Sequence, residues 1–180
     1  RPVENEDNAT DEGTEEDESW IRGSVNLSQN GESIVIQVED STSYGPVELW
    51  SSDGTLIETL IDKKEVTEEK QKWSSQVSNQ VSKDGQAILT TLYPDQSSTR
   101  IQLWNEKGEL LETLLDESDL DQRAEAFFSE DHHHIITVIP NQTVKLWKPD
   151  GTLIRTINLN PDRRNPFFYS FDRPILSPNA

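Results

Sequence analysis

The residues most able to do chemistry stand at 132–134, where His132-His133-His134 suggests a metal site. Successive side chains of an extended segment point to opposite faces, so three adjacent imidazoles do not converge on one ion. They also stand where a turn is expected, and the turn reading is preferred to the metal reading. Carboxylates are abundant, but no pair has a spacing that argues for acid–base work. There is no cysteine, which excludes disulfides, thiolate catalysis and cysteine-ligated zinc. The eight glycines form no phosphate-cradling motif and no Gly-x-Ser-x-Gly elbow occurs. The sequons at Asn8, Asn26 and Asn141 bear on function only in a secreted protein. No enzyme, cofactor or metal is therefore expected, and the search turns to the elements that would position a binding surface.

Three segments align without gaps, at residues 47–60, 101–114 and 144–157. Each reads aliphatic-x-Leu-Trp-x-x-x-Gly-x-aliphatic-aliphatic-x-Thr-aliphatic. The conserved columns hold Trp50, Trp104 and Trp147, then Gly54, Gly108 and Gly151. The tryptophans are 54 and 43 residues apart. Alternating aliphatics before each Trp predict a strand, and the Gly closes a short loop that needs positive φ. The stretch after each Gly, with its Thr, predicts a second strand rather than a short helix. Upstream lies another hairpin in each unit. Its turns are Ser28-Gln29-Asn30-Gly31, Lys83-Asp84-Gly85-Gln86 and Ser129-Glu130-Asp131-His132. Each unit is thus four short strands, the size of one propeller blade.

The repeat resembles the WD40 family, and above all its bacterial and cyanobacterial form ending in Val-Lys-Leu-Trp-x-x-Asp-Gly-Thr-Leu. Residues 143–157 match that form closely, and the resemblance spans about residues 20–180. The Asp that follows Trp in the family is replaced by Ser51, Asn105 and Lys148, and the family's Gly-His pair is absent. Its Asp–His hydrogen-bond network is therefore not expected, and packing must rest on the aliphatics and the three tryptophans, read as core rather than ligand-stacking residues. The implied fold class is all-β, a set of four-stranded antiparallel WD40-like β-propeller blades forming an incomplete arc. The expected units are an acidic disordered tail (1–19), blade 1 (20–60), an insertion (61–74), blade 2 (75–115), blade 3 (116–157) and the start of a fourth blade or a C-terminal tail (158–180). With three complete repeats, and Arg1 not a translation start, the chain is expected to be processed or one piece of a larger propeller.

The chain has 180 residues with 34 acidic and 16 basic side chains, a net charge of -18, of which residues 1–19 carry -8. That tail holds one large aliphatic residue, Val3, too little apolar surface to offset the entropy of ordering. So acidic a chain is not expected to bind nucleic acid or anionic lipid directly, and no apolar run reaches the ~18 residues of a membrane span. In propellers the loops between blades and those between second and third strands share one rim. Here these are 61–74, 116–124 and 158–168, with 39–46, 93–100 and 140–143, and they vary while the hairpins stay constant. Tyr44, Tyr93, Arg100, Arg123, Arg163 and Arg164 are the candidate protein-binding residues on that rim, since Tyr and Arg dominate interface hot spots. The expected function is a non-enzymatic protein–protein interaction scaffold in the cytoplasm. The alternatives are a structural subunit completed by another chain, through self-association or a different partner, and a sensor propeller attached to a signalling NTPase or kinase, which only the resemblance implies.

Overall fold

The computed structural model describes residues 22–39, 44–62, 76–140 and 142–159. The acidic segment 1–19, most of the 61–74 segment, the fourth-blade segment beyond 159, and with it Arg163 and Arg164, lie outside the described residues. Among those described there is no helix, and none therefore long and apolar enough to cross a membrane.

Among the described residues, the alternating and β-branched runs form twelve strands in three sheets. Blade 1 contains β1 (Arg22–Leu27), β2 (Ser33–Glu39), β3 (Tyr44–Ser51) and β4 (Leu56–Ile61). Blade 2 contains β5 (Gln76–Val81), β6 (Ala87–Tyr93), β7 (Thr99–Asn105) and β8 (Leu110–Glu117). Blade 3 contains β9 (Glu125–Phe128), β10 (Ile135–Ile139), β11 (Thr143–Trp147) and β12 (Leu153–Asn158). Every sheet is a four-stranded antiparallel meander in chain order. The segment after each repeat Gly is a strand in all three copies, because the Gly turn reverses the chain and aliphatics then pair across the ladder.

The register around the Trp column is the same in each blade. Trp50, Trp104 and Trp147 lie opposite Ile34, Ile88 and Ile135. A register shift falls just before each Trp on its other side, between Leu49 and Trp50, Leu103 and Trp104, and Leu146 and Trp147. The Trp column therefore marks a bulge, which sharpens strand twist. The following turns are alike: the N–H groups of Gly54, Gly108 and Gly151 each donate 3.0 Å hydrogen bonds to the carbonyls of Ser51, Asn105 and Lys148. Their φ angles are 84°, 78° and 86°, the left-handed region that glycine enters without steric cost.

The sheets stack face to face, and the core lies between them. Val35, Val47, Leu49, Leu60 and Ile61 of blade 1 bury against Ile88 and Leu92 of blade 2. Leu89, Ile101 and Leu103 of blade 2 bury in a second cluster with Ala126, Phe128, Ile135 and Trp147 of blade 3. Each Val, Leu, Ile or Phe among them contributes roughly 1.5–3 kcal/mol by leaving water. Strand β6, like β10 of blade 3, is buried on both faces, from Ala87 to Leu92. Its sequence is accordingly a continuous run, whereas β7, near the outer edge, alternates.

The tryptophans depart from a uniform core role. Trp147 is buried, while Trp50 and Trp104 are half-buried. The indole Nε1 of Trp104 donates to the Thr90 hydroxyl at 2.9 Å, and that of Trp147 to the Thr137 hydroxyl at 3.0 Å. In blade 1 the matching residue is Ile36, which cannot accept, and Trp50 donates instead to Glu48 at 3.1 Å. A polar half-network therefore supplements the aliphatic packing in blades 2 and 3.

Candidate protein-binding rim

The first-hairpin turns form the rim opposite the variable loops, and they are built alike. The hydroxyls of Ser28, Ser82 and Ser129 donate to Asn30, Asp84 and Asp131. Those side chains accept from the backbone N–H groups of Glu32, Gln86 and His133. The Ser hydroxyl holds the Asp84 carboxyl below its ordinary range, and Ser129 does the same for Asp131. Gly31 and Gly85 both have φ of 75° in these turns, and His132 stands in the same place with φ of 60°. The three histidines thus serve as a turn. The His132 ring stacks on Phe128 with centroids 5.4 Å apart. Among the described residues no group of three or more His, Cys, Asp or Glu side chains could hold a metal ion.

Neighbouring turns also bind each other. The backbone N–H of Gln29 donates to the Lys83 carbonyl at 3.0 Å, and the Asn30 amide to the Asp84 carbonyl at 2.9 Å. Lys83 Nζ donates to the Glu130 carbonyl at 2.7 Å. Beneath them, Gln80 spans blades 2 and 3, its amide donating to the Ala126 carbonyl at 2.8 Å. This rim is committed to holding the blades together.

The other rim carries the variable loops. Loop 94–98, which joins β6 and β7 of blade 2, and segment 118–124, which leads from blade 2 to blade 3, are tied by backbone and side-chain bonds. Leu120 N–H donates to the Ser97 carbonyl at 2.8 Å, and Ala124 N–H to the Thr99 hydroxyl at 3.2 Å. Asp95 accepts from the Ser97 N–H at 2.9 Å and from its hydroxyl at 3.1 Å. Buried Leu120 anchors the segment into the core, and Asp119 takes a positive φ of 61° to turn the chain. The loops are therefore ordered by the scaffold beneath them.

Two of the candidate binding residues come together here. The Arg123 guanidinium lies 4.9 Å from the centroid of the Tyr93 ring, a cation–π geometry. Burial pushes the Tyr93 phenol up to about 12, with the nearby Glu125 adding to the rise and Arg123 opposing it. Burial also raises the Glu125 carboxyl. Tyr93 is thus a neutral hydroxyl at physiological pH, packed beside a cation and a half-buried carboxyl. Arg100 stands across the β7–β8 ladder from Asp116 and pairs with it, Nε to Oδ1 at 3.3 Å. Tyr44 opens β3 opposite Glu39. In blade 3, Leu159 N–H donates to the Gln142 carbonyl at 2.7 Å, tying that loop to the end of β12. Glu125 and Asp116 are absent from the sequence-derived set. Asp116 could have been found from the ladder register, and Glu125 only from the meeting of two blades.

No family model matches the chain and no curated protein matches it. Among solved structures, the chain is similar to the C-terminal WD40 domain of Sif2, with 20% identity and a TM-score of 0.44 over 76% of this chain and 36% of that one. It is similar to a eukaryotic initiation factor at 12% identity and a TM-score of 0.44, over 77% of this chain and 33% of that one. It is also similar to prolyl oligopeptidase B from Galerina marginata at 13% identity and a TM-score of 0.47, over 79% of this chain and 20% of that one. The chain spans less than half the length of each of these structures. The fold itself is all-β: three four-stranded antiparallel blades stacked in chain order, an open arc among the described residues.

Proposed function

We propose that this chain is a non-enzymatic protein-interaction module that binds another protein through the rim bearing loop 94–98 and segment 118–124. The observation that carries this reading is the packing of Arg123 on Tyr93. It joins the end of β6 in blade 2 to the segment leading into blade 3, making one ordered surface element with an aromatic face, a cation and a carboxyl. Tyr and Arg held rigid before binding lose little entropy on association, which is why such pairs anchor interfaces. The remaining candidates, Tyr44, Arg100, Arg163 and Arg164, are proposed to extend the surface along the same rim. The opposite rim spends its polar groups on turn-to-turn bonds and has fewer to offer a partner. The test is affinity capture with the wild-type chain, with Tyr93→Ala and Arg123→Glu, and with Lys83→Glu on the opposite rim. Proteins retained by wild type and Lys83→Glu but lost with both rim variants support the reading. Equal retention by all four contradicts it.

A second reading is a subunit whose arc is completed by another chain. The exposed face of blade 1 favours it. Val25 and Leu27 are 65% and 60% exposed, whereas their blade 3 counterparts Ala126 and Phe128 are 4% and 8% exposed.

A further inference from the structure

The two interfaces between blades repeat one contact. The turn glycine of the later blade receives the outer strand of the earlier blade. Gly108 faces Glu58 and Leu60 of β4, and Gly151 faces Glu112 of β8 and Leu103. Glu58 and Glu112 occupy one column of the repeat, and blade 3 has Arg155 in that column. The receiving turn contains Lys107 beside Glu106 in one case and Lys148 with Asp150 in the other, so each Glu meets a turn with one cation and one acid.

Blade 1 has the same receiving turn with nothing in it among the described residues. None of their atoms lies within 4 Å of where a β-carbon on Gly54 would be, and the same holds for Gly31. Its turn, Ser51-Ser52-Asp53-Gly54, contains an acid and no cation. At the other end of the arc, blade 3 presents the donating face. Leu60 and Leu114 are each 3% exposed, while Ile157 in the same column is 51% exposed. Val144 and Leu146 are half-buried where Val47, Ile101, Leu49 and Leu103 are fully buried. Ile136 and Val138 are already buried, so the open part of blade 3 is its outer half, β11 and β12.

We propose that the occupant of the open face of blade 1 is blade 3 of a second copy of this chain, with the copy's Arg155 seated at Gly54 beside the acidic turn. The charges fit this pairing. The one blade with a basic residue in the donating column would meet the one turn with an acid and no cation. The contact is head-to-tail, so two copies close a ring when each supplies blade 3 to the other. The three described blades of each copy make six, within the four to eight that propellers use. The proposal rests on the reading of a subunit completed by another chain and names that chain.

The test is the mass of the 180-residue chain by sedimentation and light scattering over a concentration series. The expected mass is twice the 20.5 kDa of one chain. Arg155→Glu, at an exposed position, is expected to weaken dimerisation about 100-fold, the effect of placing like charges opposite each other. Ser52→Lys is expected to do the same, and the double variant to restore the dimer, while circular dichroism melts stay those of the wild type. A wild-type monomer at all concentrations overturns the proposal, as does a dimer indifferent to both single variants. Amide exchange on a monomer separates the two failures. Fast exchange in turn 51–55 leaves blade 1 open to some other chain, and slow exchange there removes the completed-subunit reading as well.

Discussion

Gly108 of blade 2 lies against Glu58 of blade 1 so closely that a β-carbon on the glycine would stand 2.8 Å from Glu58 Cγ and closer still to Cβ. Its φ of 78° adds a second requirement for glycine. Gly54 has a φ of 84° and open space. Gly54→Ala is therefore expected to cost about 1 kcal/mol, the penalty of a left-handed conformation alone. Gly108→Ala is expected to cost a further ~1–3 kcal/mol of overpacking. Urea unfolding of the two variants checks the difference, and equal losses would show that the blades do not meet at this contact.

The Trp104–Thr90 and Trp147–Thr137 bonds make a second prediction. Valine keeps the shape of threonine and removes the acceptor, leaving an indole N–H without its partner. Thr90→Val and Thr137→Val should each destabilise by about 1–3 kcal/mol. Ile36→Val in blade 1, where Trp50 uses Glu48, should cost only ~0.5–1.5 kcal/mol for the lost methylene. Denaturant midpoints with unchanged slopes would report these losses.

Acid should weaken the first-hairpin turn of blade 2. The Ser82 hydroxyl lowers the Asp84 carboxyl below its ordinary 3.8. A lowered folded value means stabilisation that is present above 3.8 and lost as pH falls through the folded value. Blade 1 has the non-titrating Asn30 in this position. Asp84→Asn should therefore be less stable than wild type at pH 7, with the gap closing as pH drops below 3.8. Thermal melts at stepped pH would show a parallel gap at all pH values if the carboxylate form did not matter.

Alkali should act through Tyr93. Its phenol is raised from 10.0 to about 12 by burial. Between those values the unfolded chain releases a proton that the folded chain retains, so stability falls as pH rises. The slope due to this group is at most about 1.4 kcal/mol per pH unit. Tyr93→Phe should flatten the wild-type decline above pH 10, as measured by urea unfolding at pH 9, 10 and 11. Identical declines would place the phenol in solvent.

The hairpins were legible because periodicity, turn glycines and the Trp column agree within each copy. The places of the first-hairpin turns were legible too, but the Ser-to-Asx bonds that recur at Ser28, Ser82 and Ser129 emerge only from the folded turns. The unequal tryptophans were not legible. Whether an indole finds Thr90, Thr137 or only Ile36 depends on the ladder register, which fixes the residue two beyond the one opposite the Trp. The Tyr93–Arg123 pair was visible as two candidates and not as a contact. Thirty residues separate them, and they meet because β7 and β8 run out and back while Leu120 plugs the returning segment into the core. Turn-to-turn bonds such as Asn30 to Asp84 were hidden for the same reason, since they belong to the stacking of blades and not to any one hairpin.

The central claim is that recognition uses the rim where Tyr93 and Arg123 meet. Amide hydrogen exchange of the chain, alone and bound to a protein obtained by affinity capture, tests it most directly. Slowed exchange concentrated in residues 93–100 and 116–124 is the expected result. Protection confined to the opposite turns at 28–33, 82–87 and 129–134, with the rim loops unchanged, would contradict it.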